Sequence, residues 1–264
     1  MIYLNKAIEL DPKNDYTYSE LAKVYFNNKL YDKSSEALLK AIQIKPDNSY
    51  YYKQLGEVYY RKRDFNKAID VLTDSINLKI DKSAYCTRGS VYNKMELYDK
   101  AINDFNEAIK LDKYYVSAFI GRCISYYCLN EFDKAKKDCE KIIKLDPKKH
   151  YVYFLNFIIS NKISKESGQD SLKLLKRNQK IYIKYERPYL IYKYLTGAID
   201  ENKLLSYKDI NDEILCEDYA YIGFNYLFKN NKDKAKEYFK KCIETDIFYF
   251  IEYRLSKKEL TNLQ

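Results

Sequence analysis

The chain has 264 residues, 46% apolar, 16% aromatic and 32% charged, with 6 glycines and 4 prolines, a balance that excludes disordered, collagen-like and low-complexity classes. One histidine and scattered glycines rule out an HExxH zinc site and a glycine loop for phosphate. A net charge of +9 at pH 7 favours acidic partners.

Residues 1–11, MIYLNKAIELD, read as the second helix of a helix pair whose first helix is missing. Such a helix leaves an apolar face open. The reading therefore expects either that an upstream segment has been removed or that this end meets a partner, self-association included. The start lacks the basic residues and apolar core of a signal peptide. The best apolar run, Tyr151 to Ile159, is interrupted by Asn156 and falls far short of the roughly 20 residues a membrane span requires. The expectation is a cytoplasmic protein, with the reservation that a removed segment would take any lipid anchor with it.

From residue 15 a pattern repeats. Small residues Ala22, Gly56, Gly89 and Cys123 fall 34, 33 and 34 apart, and Gly223 follows 100 later. Each is followed three residues on by tyrosine, at Tyr25, Tyr59, Tyr92, Tyr126 and Tyr226. A second small residue comes twelve after the first, at Ser34, Ala68, Ala101, Ala135 and Ala235, inside similar strings such as LYDKSSEAL, LYDKAINDF and EFDKAKKDC. Pro12, Pro46 and Pro147 close repeats at one phase. The reading gives a half repeat over 1–14 and four regular units over 15–149. Two degenerate units over 150–215, a regular unit over 216–249 and a capping helix over 250–264 complete one elongated domain. In the first degenerate unit the small crossing residues are lost, SKESGQD at 164–170 reads as an inserted loop, and a helix is expected from about 171 to 184. Arg187-Pro188 then signals a helix start and Gly197 a C-terminal cap.

The residue types follow from packing. Two antiparallel helices approach closely only where one presents a small side chain, so Gly56 with Ala68, and Gly89 with Ala101, mark crossings. Tyr52, Leu55, Tyr59, Phe65 and Leu72 fill the space around the first, and Tyr85, Tyr92, Tyr98 and Phe105 around the second. Proline ends the second helix where it occurs, at Pro12, Pro46 and Pro147.

This set of residues resembles the tetratricopeptide repeat (TPR) pattern, with tyrosine where that family often carries tryptophan. The resemblance implies an all-α, α-α superhelix of about seven helix-turn-helix repeats. It also implies that first helices line a concave face at repeat positions 2, 5, 9, 12 and 13. On this sequence those positions select Tyr16, Lys23, Phe26, Asn27, Tyr50, Lys53, Tyr60, Arg61, Asn93, Lys94 and Tyr127 as the partner-binding groove. Chaperone-binding members carry a carboxylate clamp of Lys and Asn on one unit, Asn on the next, and Lys and Arg on the third. Here Ser19, Lys23, Gln54, Ser83 and Thr87 stand there, so that clamp is missing.

No enzyme signature, cofactor motif or metal set is present, and His150 reads as a turn residue. Cys123 and Cys128, five apart, sit about 140° apart on a helix, a poor spacing for one metal. All six cysteines read as reduced thiols; Cys123, Cys139 and Cys242 take small-residue packing positions, whereas Cys86, Cys128 and Cys216 lack that explanation, and Cys86 and Cys128 fall on the concave side. The charge concentrates in residues 161–195, with nine Lys/Arg against three acids. There Lys173, Lys176, Arg177 and Lys180 form a candidate basic patch. The leading expectation is a non-enzymatic interaction scaffold that holds a peptide or helix of a protein partner in its groove. One alternative is the regulatory or substrate-recruiting region of a larger enzyme. The lesser alternative is nucleic-acid binding through 161–195.

Overall fold

The computed structural model describes residues 2–206 and 211–264. Residues 207–210, inside the second degenerate unit, and Met1, at the head of the half repeat, lie outside the described residues. The described residues form seventeen helices and no strand. They group into two compact units, Met1–Arg122 and Cys123–Gln264.

The first unit holds α1 (Ile2–Leu10), α2 (Asp15–Asn27), α3 (Tyr31–Ile44), α4 (Ser49–Arg61), α5 (Phe65–Leu78), α6 (Lys82–Lys94), α7 (Tyr98–Leu111) and the start of α8 (Val116–Cys128). α2 and α3, α4 and α5, and α6 and α7 pack as antiparallel pairs. The small residues act as the spacing argument requires. A Cβ on Gly56 would stand 2.4 Å from Leu72 Cγ, and one on Gly89 would stand 2.9 Å from a ring carbon of Phe105. Leu72 and Phe105 are fully buried at these crossings. First helices start on side-chain caps, with Asn14, Asn48 and Asp81 accepting from the backbone N–H of Thr17, Tyr50 and Ala84.

Each pair turns in one way. Lys29, Arg63 and Glu96 adopt φ of 59°, 62° and 61°, and the next residue's N–H donates to the carbonyl five back, at 2.9 Å from Leu30 to Tyr25, Asp64 to Tyr59 and Leu97 to Tyr92. This is the Schellman closure of a helix, here built without glycine. The tyrosine carrying that carbonyl also lies under a lysine of the next helix: Lys33 over Tyr25, Lys67 over Tyr59 and Lys100 over Tyr92. One residue per repeat thus closes the turn and pins the second helix.

The second unit holds the rest of α8, α9 (Phe132–Leu145), α10 (His150–Ile163), α11 (Lys165–Arg177), α12 (Gln179–Ile183) and α13 (Glu186–Leu195), then α14 (Glu201–Leu205), α15 (Asp212–Phe228), α16 (Lys232–Glu244) and α17 (Ile251–Asn262). Its regular parts reuse the same turn at Asn130 and Asn230, with φ of 62° and 61°. Lys134 stands over Tyr126 and Lys234 over Tyr226. Gly223 meets Phe239 as Gly89 meets Phe105, at 2.6 Å for an added Cβ.

One expectation is corrected here. SKESGQD is not a loop: Ser164 caps α11 by accepting from Ser167 N at 3.0 Å, so the helix begins at Lys165 and ends at Arg177. Gly168 supplies a small crossing residue to this unit, since an added Cβ would fall 2.3 Å from Asn161 Oδ1 on α10. The polar composition of SKESGQD concealed a capped first turn. α13 begins beside Arg187-Pro188, and Gly197 closes it at φ +80°, with Ala198 N donating to Lys193 O at 2.8 Å. Where repeat pattern is weakest, aromatic stacking holds the unit: Tyr182 of α12 lies between Phe154 at 5.1 Å and Tyr192 at 5.2 Å.

Candidate functional site

The first unit carries a cleft of about 340 Å³ between α2 and α4. Lys23, Phe26 and Asn27 line it from α2, and Tyr50, Lys53, Gln54 and Glu57 from α4, over a floor of Ala22, Leu38 and Val58. Successive first helices expose residues one turn apart on one face, so positions 34 apart in sequence become neighbours. Five of the groove residues selected above, Lys23, Phe26, Asn27, Tyr50 and Lys53, meet here.

Tyr50 is the most prominent of them, 42% exposed and flanked by two cations, with Lys23 Nζ at 5.4 Å and Lys53 Nζ at 5.1 Å from its ring centre. A hydrogen bond to Glu20 at 2.5 Å raises the Lys23 pKa and fixes its ammonium. Lys53 Nζ donates to Ser83 Oγ at 2.8 Å and lies 3.6 Å from Asp81 Oδ2. Gln54 Oε1 accepts from Ser19 Oγ at 2.9 Å. Burial pushes Glu57 above the usual carboxylate range, against the opposing pull of Lys53 and Arg61. The cleft therefore presents an aromatic plate between two oriented ammoniums, with an acid at its far side. It suits an apolar side chain beside an acidic one.

The other selected residues lie elsewhere. Tyr16 is 63% exposed in the first turn of α2, outside the cleft lining. Tyr60 packs on Phe65 with ring centres 6.1 Å apart, and Arg61 and Lys94 are half-buried. Asn93 is a correction: at 3% exposure, its Nδ2 donates 3.0 Å to Gly121 O and holds the repeat stack, out of reach of a groove ligand. Tyr127 is another. It is fully buried, and its hydroxyl donates to Glu259 Oε1 at 2.5 Å.

Glu259 belongs to α17, the chain's own last helix, and its second oxygen accepts from Lys162 Nζ of α10 at 2.8 Å. Leu255, Ser256 and Glu259 of α17 are buried. Tyr221 of α15 donates to Glu252 of α17 at 3.0 Å. In the second unit, then, a helix bearing a carboxylate covers first-helix positions that the family frame assigns to the groove. Ile124, Cys128 and Phe224 are buried as well, Phe224 with its ring centre 5.0 Å from that of Phe239 on α16. α17 falls in the stretch that the sequence reads as a capping helix, and Leu255 is the apolar residue that marks its buried side, whereas nothing local marks Glu259.

Cys86 is buried and its thiol is pushed up to about 12, mainly by desolvation, so it is a packed thiol. Cys216 lies 3.5 Å from Cys242 across α15 and α16, which accounts for it as a packing residue. Among the described residues no three His, Cys, Asp or Glu side chains are gathered for a metal ion, and no helix is long and apolar enough to cross a membrane.

The basic stretch 161–195 is divided by the fold. Lys162 pairs with Glu259, Lys173 with Asp170 at 2.9 Å, and Arg187 with the fully buried Asp218. Lys193 lies over Tyr189 at 4.5 Å. Lys176 and Arg177 stay exposed on α11, whereas Lys180 belongs to α12 and lines a separate cavity.

Models of the tetratricopeptide repeat match residues 83–115 in one form and 16–48, 125–149 and 219–246 in another. This chain is a tetratricopeptide-repeat protein. Its fold is the all-α solenoid of that family. Human DnaJ homolog subfamily C member 7 is 34% identical over 71 residues, 27% of this chain and 14% of that protein, so the chain spans about one seventh of that relative. A tetratricopeptide repeat protein from Parabacteroides merdae superposes with a TM-score of 0.61 at 17% identity, covering 92% of this chain and 98% of the other. YrrB, a TPR protein with an unusual peptide-binding site, gives a TM-score of 0.53 at 18% identity over 72% of this chain and 97% of its own. These two likenesses concern the fold. No matched repeat falls within 150–215, where the period lapses.

Proposed function

We propose that this chain is a protein-interaction scaffold without catalytic activity, and that the α2/α4 cleft of its first unit holds a peptide or helical segment of a protein partner. The observation that carries the reading is Tyr50, 42% exposed in a concave site and flanked by Lys23 and Lys53. An aromatic side chain left uncovered beside oriented cations is the composition of an interface anchor. The corresponding face in the second unit supports the reading from within the chain, because α17 covers it with a buried carboxylate and an apolar turn. The peptide-binding site of YrrB lends the same support through a shared fold. Phe26 and Tyr50 would supply apolar burial, and Lys23 and Lys53 would orient an acidic side chain of the partner.

The test is capture of partners from native extract by the wild type beside a Phe26→Ala, Tyr50→Ala variant, followed by binding of the captured segment in isolation. Removing two anchors of this kind is expected to weaken binding tenfold or more, each contributing upwards of about 1 kcal/mol. Equal retention by both forms would show that the cleft is not the binding surface.

A further inference from the structure

Three of the nine cations of the irregular stretch 161–195, Lys162, Lys173 and Arg187, meet carboxylates, and two of the others, Lys180 and Lys184, gather with Lys148 in one place. Lys148, Lys180 and Lys184 line a cavity of about 450 Å³ together with Ile181 and Tyr185. No carboxylate is in that lining, and among the described residues no ion pair holds these three ammoniums. Asp146, two residues before Lys148, is occupied by Lys149 Nζ at 3.3 Å and by the Lys148 backbone N–H at 3.3 Å. Three ammoniums bordering one concavity with no carboxylate in its lining favour the entry of an anion.

The walls are held from behind. Lys180 and Lys184 are four apart on one side of α12 and its C-cap, and the intervening Tyr182 points the other way into the Phe154 and Tyr192 stack. Lys148 sits in the turn after Pro147, whose carbonyl accepts from Tyr153 Oη at 3.1 Å. His150, next to that turn, lies 5.6 Å from the ring of Tyr185. Both lysine-bearing segments therefore lean on α10. Lysine binds phosphate as a point charge and needs no fork geometry, so three of them suit a multiply charged phosphate group. The cavity is of small-ligand size. Ile181 and Tyr185, the latter 53% exposed, add an apolar and aromatic wall beside the charges.

We propose that Lys148, Lys180 and Lys184 form, with Tyr185, a binding site in the second unit for a phosphate-bearing small molecule. It is separate from the peptide cleft of the first unit and does not depend on it.

The test is calorimetric titration of the full chain with inorganic pyrophosphate and, separately, with adenosine 5′-diphosphate, at near-physiological salt. Three variants accompany the wild type: K180Q/K184Q, K148Q, and K173Q/K176Q, the last removing two charges outside the cavity. The expected result is saturable one-to-one binding, weakened tenfold or more by K180Q/K184Q, several-fold by K148Q and less than twofold by K173Q/K176Q. Tighter binding of the nucleotide than of pyrophosphate would add the Tyr185 wall to the site; equal binding would support a site for the phosphates alone. Absence of saturable binding by either probe, or equal weakening by K180Q/K184Q and K173Q/K176Q, would overturn the proposal. Equal weakening would mean a diffuse basic surface.

Discussion

The two units bury comparable helices by different means. In the first, glycine and alanine let helices cross, Leu72 and Phe105 fill the crossing, and the turns at Lys29, Arg63 and Glu96 repeat one geometry. The charged pairs there are mostly at the surface, with Arg88 to Asp104 the main half-buried exception, bidentate at 2.9 Å. In the second, the repeat lapses between α10 and α15, and what replaces it is polar and aromatic. Arg187 meets a buried Asp218, Glu259 is clamped by Tyr127 and Lys162, and Tyr182 is stacked on both faces. Where the backbone repeat supplies the geometry, small and apolar residues suffice. Where it does not, specific partners fix the helices, and they are more damaging to lose.

That contrast can be broken at its strongest point first. Arg187→Ala strands Asp218, whose side chain is fully buried, and is expected to destabilise the chain by about 3–5 kcal/mol in denaturant titration. A change under about 1 kcal/mol would mean that the pair does not organise this unit. Next comes Glu259→Ala, which leaves Tyr127 and Lys162 without their acceptor. The expected loss is about 3 kcal/mol, together with faster amide exchange in α17. Protection in α17 equal to that of the wild type would remove the clamp from the account.

The first unit is probed by Gly56→Ala. The new methyl would stand 2.4 Å from Leu72 Cγ, a branch point rather than a flexible tip, and is expected to destabilise by about 1–3 kcal/mol. Neutrality would show that the crossing has slack and that the regular unit is not tightly packed.

The remaining expected effect is on pH dependence. Burial, with the charges of Glu252 and Glu213 nearby and the opposing pull of Arg187, pushes Glu217 up to about 8. The folded chain thus keeps a proton that the unfolded chain gives up near the ordinary value of 4.5. Its stabilisation is full below that value and is lost as pH rises through about 8. Glu217→Gln cannot ionise, so the variant is expected to lose less stability than the wild type between pH 5 and pH 9, as read by thermal unfolding across that range. Parallel profiles would assign the slope to other groups.

How much of this was legible in advance differs by unit for the same physical reason. Small residues at Ala22, Gly56 and Gly89, and tyrosines three beyond them, are a spacing, and spacing survives in a one-dimensional string. Part of the cleft followed from it, because Lys23, Phe26, Tyr50 and Lys53 occupy fixed phases of the repeat. Asn93 and Tyr127 share those phases yet face inward. What turns them in is Gly121 O in one case and α17 in the other, 28 and 132 residues away, and no local pattern records such distances. Glu259 and Lys162 look like ordinary solvated charges in the string. Lys148 carried one faint signal, its place directly after a repeat-closing proline, but nothing there announced Lys180 and Lys184.

By itself the sequence determined the helix-pair frame, since close approach demands small residues at a fixed period and proline stops the second helix at Pro12, Pro46 and Pro147. The tertiary structure alone decided which groove positions stay open and which cations stay uncompensated. Both depend on which distant side chain arrives to cover an apolar face or neutralise a charge, and chain order does not specify that encounter.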